Sequence, residues 1–155
     1  MIDRFRNEYA FLSNFYPSPI HVQGLRYPTV EHAFQAAKTD DPVMRERVRR
    51  MQSATSAKRL GRSGDLILIA GWDDKRIEVM HELLILKFAA PTLQKKLIGT
   101  SPKELIEGNT WGDKYWGAVW NEALGWQGEN NLGKLLMELR NLIIDEYVEV
   151  VEYEA

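Results

Sequence analysis

A carboxylate, an amide and an amine share one side of a helix that the sequence predicts in its first third. Glu31, Gln35 and Lys38 stand at positions i, i+4 and i+7, so they project from the same stripe of an α-helix. At a rise of 1.5 Å per residue, the first and last of these are separated by roughly 10 Å along the helix axis. This stripe has two interpretations: it lines one wall of a binding cleft, or it faces solvent. The periodicity alone leaves both interpretations open.

A second set of candidate residues lies in and beside the segment 108–128, which is rich in Gly, Trp and Asn and has little periodicity. We predict a long loop with at most one hairpin there, and long loops in compact domains tend to be functional. Its aromatic and polar members are Trp111, Tyr115, Trp116, Trp120 and Trp126, with Asn109, Asp113, Asn121 and Asn130. Such rings stack on flat bases, and Asn and Asp bond sugar hydroxyls. The alternative is that the rings only fill the core under the loop.

Several kinds of chemistry are excluded by the residue types and their spacing. The chain contains no cysteine, so it has no disulfide, no thiolate nucleophile and no zinc–cysteine site. The three histidines (His21, His32, His81) form no recognisable metal motif, so we predict no metal and no cofactor. The glycines of residues 61–64 lack the lysine and the context of a phosphate-binding loop. We interpret His32 as a packed helix histidine rather than a general base.

The charge of the chain does not favour a general nucleic-acid-binding protein. The formal net charge is -2 and the sequence pI is about 6.0. Residues 44–50 form the only dense basic run, which we interpret as a solvated helix face rather than a binding patch. The sequence also shows no signal segment and no apolar stretch of the ~20 residues that a membrane span needs. We therefore expect a soluble, cytoplasmic protein without a membrane partner.

The elements that must position these residues are mostly helices. Prolines, glycines and short apolar pieces between positions 11 and 28 predict two short strands, and Thr29 is expected to cap the helix that carries Glu31. Further helices are predicted to begin at Asp41, Ser53, Asp73, Pro91 and Asn131. The last is expected to end near Asp145, before an acidic tail at 146–155. The prediction is a mostly α fold with a small β element (α+β), in one compact multihelical domain over residues 1–155 with its core at about 5–145.

Four segments of the chain resemble the NADAR domain, also called YbiA-like. They are residues 11–16, 27–38, 107–113 with 116–117, and 130–140, and Met80 and Lys87 are among the positions between them that also match. The resemblance extends over about residues 5–145 and implies a YbiA-like fold. It also implies an enzyme, a hydrolase of N-glycosyl bonds that acts on ribosylated bases. The resemblance implies one of two activities. One is hydrolysis of early riboflavin-pathway intermediates, and the other is removal of ADP-ribose from guanine in nucleic acid, which reverses ADP-ribosylation.

The same resemblance implies roles for individual residues. Lys38 matches a lysine whose amine attacks the anomeric carbon and holds the opened sugar as a Schiff base. Glu31 and Asp113 are the two candidates for the acid/base that serves this reaction. The predicted substrate-binding residues are Asn14, Gln35, Asn109, Trp111, Trp116 and Asn130. A module that binds ADP-ribose or a nucleotide without cutting it is the alternative.

One segment departs from the family pattern. Where family members have a shorter glycine-rich turn with a lysine, residues 118–129 are longer, more aromatic and less basic. We expect the choice of substrate to depend on this loop. The sequence does not identify the substrate, and it leaves the oligomeric state open.

Overall fold

The fold, described in a computed structural model, consists of helices and two small two-stranded antiparallel sheets. The backbone is described for residues 1–154 and the side chains for residues 1–147. The chain forms two compact units, one of residues 14–89 and one of residues 1–13 with 90–155. The predicted α+β class, mostly helical with a small β element, is confirmed. A single domain over 1–155 stays a prediction.

The unit of residues 14–89 begins with a hairpin and continues with four helices. Strands β1 (Ile20–Val22) and β2 (Leu25–Tyr27) pair antiparallel, as predicted, with Ile20 opposite Tyr27. The helices that follow are α1 (Val30–Ala37), α2 (Pro42–Arg49), α3 (Ala54–Gly61) and α4 (Trp72–Phe88).

Helix α1 lies at the centre of this unit. Thr29 is its N-cap, as predicted, and its side-chain oxygen accepts a hydrogen bond of 3.1 Å from the His32 backbone N–H. The helix packs against α2, α3 and α4. Because it is surrounded, seven of its eight residues are buried, the polar ones included.

The caps of the next two helices are also as predicted, and the start of the fourth is not. Asp41 caps α2 and Ser53 caps α3 through side-chain oxygens. Helix α4 does not begin at the predicted cap Asp73. Gly71 takes the N-cap position with a left-handed φ of +71°, and the buried ring of Trp72 packs on Phe34 with centroids 5.2 Å apart. Burial of that ring thus places the N-cap two residues earlier than the predicted Asp73.

The basic run 44–50 forms most of α2, and part of its charge is paired within the helix. Glu46 bonds Arg49 at 2.5 Å and Arg50 at 2.7 Å. Arg45 bonds the exposed Asp40 at 3.5 Å. This pairing is typical of a solvated helix face.

The other unit contains a short 3₁₀-helix (Asn7–Leu12), helix α5 (Pro91–Ile98), strands β3 (Val119–Asn121) and β4 (Gly125–Gln127), and helix α6 (Asn131–Glu154). The predicted long loop is present and holds the one hairpin allowed for it, β3–β4. The predicted end of the last helix near Asp145 is wrong, because α6 continues to Glu154. No Gly or Pro interrupts it after Gly133, and glutamate propagates helices well.

The side chains of the predicted acidic tail from position 148 onward lie outside the described residues. Among the helices that the structure describes, none is long and apolar enough to cross a membrane.

Candidate active site

The predicted site residues fall into two groups, one in each compact unit. The unit of residues 14–89 contains Asn14, Glu31, Gln35 and Lys38. The other unit contains Asn109, Trp111, Asp113, Trp116 and Asn130. Within its own unit, each group is brought close together by the fold.

Glu31 and Gln35 form a buried pair on α1. They are only 6% and 3% exposed, and Gln35 Nε2 donates a hydrogen bond of 2.7 Å to Glu31 Oε1. Gln35 lies directly against α3 at Gly61, where an added Cβ would overlap the Gln35 side-chain oxygen. The solvent-facing interpretation of the stripe is therefore wrong for these two residues. A buried carboxylate bonded to an amide is also uncommon unless the fold or the function requires it.

Lys38 occupies the C-cap position of α1, and its backbone is fixed on both sides. Its N–H donates to the carbonyls of Gln35 and Ala36, and its own carbonyl accepts a hydrogen bond of 2.8 Å from Ile69 N–H. The ammonium nitrogen lies 5.8 Å from the centroid of the Phe34 ring. The stem is partly buried, so the amine lies at the edge of the unit's interior.

The surroundings of Lys38 lower the pKa of its amine. Burial lowers the pKa of Lys38 below its usual value, the Glu31 carboxylate raises it, and the nearby cations Arg62, Lys58 and Arg76 lower it again. The net shift is downward because desolvation is the largest contribution. A lysine is nucleophilic only when neutral, and a lowered pKa increases the neutral fraction of the amine at a given pH.

The segment 14–16 lies against α1, α3 and α4. Asn14 O accepts a hydrogen bond of 3.1 Å from Glu31 N–H, and Asn14 Nδ2 lies 3.5 Å from Met80 Sδ on α4. Lys58 on α3 lies 5.8 Å from the Phe15 ring centroid. These contacts place the buried side chain of Asn14 close to the start of the helix that carries Glu31.

Two side-chain oxygens in this region are buried without a donor. Among the residues whose side chains are described, Asn14 Oδ1 and Gln35 Oε1 are both of this kind. A buried acceptor that accepts no hydrogen bond is costly, by about 1–3 kcal/mol.

A second lysine in the same unit was not among the predicted site residues. Lys87 is 1% exposed on α4, with its ammonium 5.7 Å from the Tyr16 ring centroid and 5.2 Å from that of Phe88. Burial lowers its pKa to about 7. The sequence contained a signal for it: Lys87 stands seven residues after Met80 and three after Leu84, on the apolar face of α4.

His32 is a packed residue, as predicted. Its Nε2 lies 2.9 Å from the carbonyl of Met51, which only accepts, so Nε2 carries the proton. Its Nδ1 then accepts from the Thr29 hydroxyl at 2.7 Å. Both ring nitrogens are used, and the ring ties the start of α1 to the residues after α2.

In the other unit, the predicted site residues Asn109 and Asp113 hold the loop in shape. Asn109 Oδ1 accepts from Asp113 N–H at 3.0 Å, and its Nδ2 donates to Asp113 O at 2.8 Å. Asp113 Oδ1 accepts from the N–H groups of Tyr115 and Trp116 at 3.0 and 2.9 Å. The roles of Asn109 and Asp113 toward a substrate stay predictions.

The side chain of Asn130 holds the segment 105–107 of the same unit. Its Oδ1 accepts from Glu107 N–H and its Nδ2 donates to Leu105 O, both at 2.9 Å, while its own backbone is left-handed with a φ of 51°. Trp111 is exposed and Trp116 is half-buried, edge-on to Tyr115. Stacking by either tryptophan also stays a prediction.

Residues 1–147, whose side chains the structure describes, contain no group of three or more His, Asp or Glu side chains that could hold a metal ion.

Comparison with known proteins identifies the family. A family model of the NADAR domain matches residues 3–144. The chain belongs to the NADAR domain family. It is 39% identical over 141 residues to the N-glycosidase YbiA of Escherichia coli, an alignment that covers 90% of this chain and 85% of that protein. The NMR structure of E. coli YbiA superimposes with a TM-score of 0.78 at 37% identity, covering 96% of this chain and 90% of the other.

Two further NADAR relatives carry informative names. An N-glycosidase of Nostoc punctiforme is 32% identical over 142 residues, covering 87% of this chain and 88% of that protein. A riboflavin biosynthesis protein of Vibrio vulnificus is 38% identical over 133 residues, covering 85% of this chain and 35% of that protein. Membership of this family and the names of the N-glycosidases confirm the predicted class of protein, an enzyme that hydrolyses N-glycosyl bonds.

Proposed function

We propose that this protein cleaves the C1–N bond between ribose, or ADP-ribose, and a base, and that Lys38 is the nucleophile. The substrate classes are an early riboflavin-pathway intermediate and ADP-ribosylated guanine in nucleic acid. The observation that carries the proposal is a partly buried amine with a lowered pKa at the end of α1, on which the buried carboxylate of Glu31 from the same helix acts electrostatically.

The reaction follows from these two groups. The neutral Lys38 amine attacks the anomeric carbon, and the C1–N bond breaks with its electron pair moving to the base nitrogen. Glu31 in its acid form protonates that nitrogen, and its carboxylate then takes the proton that the attacking amine must lose. The ring C1–O4 bond then breaks, Glu31 returns that proton to the ring oxygen, and the opened sugar is held as a protonated Schiff base on Lys38. Water adds to the imine carbon, and its proton passes through Glu31 to the lysine nitrogen. The C1–N bond to the lysine then breaks as the hydroxyl proton returns to Glu31, which releases the aldehyde form of the sugar and restores the neutral amine.

Glu31 is favoured over Asp113 as the acid/base by what each carboxylate contacts. Glu31 acts electrostatically on Lys38 and is held by Gln35. One oxygen of Asp113 is already engaged by two backbone N–H groups of its own loop. A carboxylate that can change its protonation state without breaking a turn is better suited to proton transfer.

The cations around Lys38 support a phosphorylated substrate. Arg62, Lys58 and Arg76 all act on the amine, against one carboxylate, so the local charge is positive although the whole chain is slightly acidic. Both proposed substrate classes carry phosphate. Asn14 and Gln35 adjoin Glu31 and are the proposed contacts of this unit for the ribose.

Testing one protein preparation with both substrate classes shows which of them the protein cleaves. A ribosylaminopyrimidine phosphate and an oligonucleotide with ADP-ribosylated guanine are each incubated with the protein, and mass spectrometry detects the released sugar. Release from the first alone would agree with the name of the Vibrio vulnificus relative. Release from neither would contradict the proposed activity.

The nucleophile is tested by trapping the imine with borohydride. Wild-type protein is expected to gain the mass of the reduced sugar adduct, and peptide mass analysis should place it on Lys38. Lys38→Ala and Lys38→Arg should both trap nothing, since neither presents a neutral primary amine. Lys87→Met is the matched control, because it removes the other lysine of the unit that has a lowered pKa. An adduct on Lys87, or one that persists in Lys38→Ala, would refute the assignment.

The same variants separate an enzyme from a binding module. A module that binds ADP-ribose without cutting it needs no nucleophile. Full-strength binding by Lys38→Ala, together with no release of base by the wild type, would favour that alternative.

A further inference from the structure

A pocket in the unit of residues 1–13 and 90–155 is lined in part by residues 118–129, the segment that departs from the family pattern. Its volume is about 340 Å³, which lies within the range of about 300–1,000 Å³ typical of small-molecule sites. Its lining includes Arg4, Arg6, Asn109, Thr110, Trp120 and Trp126.

Backbone pairing fixes the three segments that form this pocket. Ile2 bridges Leu105, and Gly108 bridges Ala118, both in parallel orientation. Two backbone hydrogen bonds extend this pairing. Ile106 N–H donates to Ile2 O at 2.8 Å, and Asn109 N–H donates to Ala118 O at 3.0 Å. The N-terminal arginines, the 108–110 segment and the β3–β4 hairpin are therefore held beside one another by main-chain contacts rather than by mobile side chains.

The two tryptophans of the hairpin have different roles. Trp120 and Trp126 are directly opposite each other across the β3–β4 pair, with ring centroids 5.3 Å apart and planes at 70°. The Trp126 ring lies on Gly108, where an added Cβ would be 2.8 Å from it. Trp120, by contrast, is 53% exposed. Trp126 thus anchors the hairpin, and Trp120 presents its ring to the outside.

The lining combines a flat aromatic surface with two cations. Arg4 and Arg6 are exposed, and each guanidinium can bind a phosphate with two hydrogen bonds. An exposed indole is a surface on which any base can stack, and such stacking does not depend on base identity. A ligand that satisfies both features has a planar heterocycle joined to a phosphate.

We propose that this pocket binds a nucleotide, with the base on Trp120 and the phosphate on Arg4 and Arg6. The ligand is either a free nucleotide or one residue of a single-stranded nucleic acid, since both present the same chemistry. The inference goes beyond the proposed N-glycosidase activity, because binding here requires neither Lys38 nor Glu31.

The test is direct binding by titration calorimetry in the Lys38→Ala protein, with ADP in one arm and an eight-residue single-stranded deoxythymidine oligonucleotide in the other. Trp120→Ala should weaken binding about tenfold, and Trp120→Phe should keep most of it, since a phenyl ring still stacks. The double variant Arg4→Ala/Arg6→Ala should weaken binding and flatten its salt dependence.

Two variants serve as matched controls. Tyr147→Ala removes another exposed aromatic ring, 68% exposed on α6, and Arg26→Ala removes an exposed arginine of β2. Neither should change the affinity. Binding of the oligonucleotide alone identifies a nucleic-acid strand, and equal binding of ADP identifies a free nucleotide. The proposal is overturned if neither probe binds, or if Trp120→Ala and the arginine double variant bind as tightly as the parent protein.

Discussion

In helix α1 the side chains of Glu31 and Gln35 bond to each other, whereas in the 109–130 loop Asn109 and Asp113 bond to the main chain of the loop itself. The two regions contain similar polar residue types within family motifs. In the loop these groups satisfy backbone atoms that the irregular chain would otherwise leave unpaired. Along α1 the helix already pairs the backbone groups, so the side chains of Glu31 and Gln35 can bond to each other.

Among the motif residues, those suited to chemistry are the ones whose side chains are not already needed to satisfy the backbone. A polar side chain whose hydrogen bonds all go to nearby backbone is explained by folding alone. A buried carboxylate–amide pair beside a lysine with a lowered pKa is not, because an apolar pair would have packed there at lower cost. Three variants of Glu31 and Asp113 test this contrast.

The largest expected effect separates the two carboxylates. Glu31→Gln should lower kcat by about 100- to 10,000-fold, the range for loss of a general acid/base. Asp113→Asn keeps an oxygen that can accept from Tyr115 and Trp116, so it should retain near wild-type activity, while Asp113→Ala should lose stability. Steady-state kinetics and urea denaturation measure these effects. Strong inactivation by Asp113→Asn, with the fold intact, would assign the proton transfer to the loop instead.

Stability should depend on the buried Lys87. Its pKa is about 7 in the folded protein and near 10.5 when unfolded, so the unfolded chain binds more protons between those pH values. Stability therefore rises with pH through this window, by at most about 1.4 kcal/mol per pH unit. Lys87→Met should be more stable than wild type at pH 7, with a gap that narrows toward pH 10. Urea denaturation at several pH values measures the gap. Lys75→Met, an exposed position on α4, is the control and should show no such trend.

A smaller effect is expected where α3 touches Gln35. Gly61→Ala introduces a methyl group that overlaps the Gln35 side chain, so it should cost about 1–3 kcal/mol and disturb the bond to Glu31. Gly64→Ala is the matched control, because an added Cβ there meets nothing within 4 Å. Thermal unfolding and sugar release are measured for both. Equal stability and equal activity of the two variants would show that the position of Gln35 is not critical.

The smallest effect is a shift of a pH profile. Because Lys38 must be neutral to attack, trapping should increase as pH rises through its pKa. Arg62→Met removes a cation that lowers this pKa, so the profile should move to higher pH. Initial rates of borohydride trapping across pH measure the shift. An unchanged profile, or one that moves to lower pH, would contradict the described electrostatics.

The fold was predictable where local chemistry determines it. Thr29, Asp41 and Ser53 cap their helices because a side-chain oxygen next to an apolar run is enough to do so. The start of α4 was not, because burial of Trp72 and a left-handed Gly71 outweigh the acidic residues that follow. The end of α6 was missed because an acidic composition was interpreted as a tail, although it is compatible with a helix.

The candidate site was only partly predictable. The common stripe of Glu31, Gln35 and Lys38 follows from helix periodicity, but whether it faces solvent depends on which helices pack around α1. Lys87 was missed since a lysine is normally assigned to the surface, and only the packing of α4 shows otherwise. The hydrogen bonds from the Asn109 side chain to the Asp113 backbone depend on the three-dimensional path of the loop, and spacing along the chain does not reveal that path.

The burial of α1 on nearly every side limits how the proposed nucleophile can travel. Three neighbouring helices and the hydrogen bond from Ile69 hold the backbone at Lys38, so the helix has no room to slide or tilt. An amine that reaches out, carries an opened sugar and returns must do so by rotating about the four carbon–carbon bonds of its own stem. The reach of one flexible side chain would then set how far the sugar can swing between capture and release.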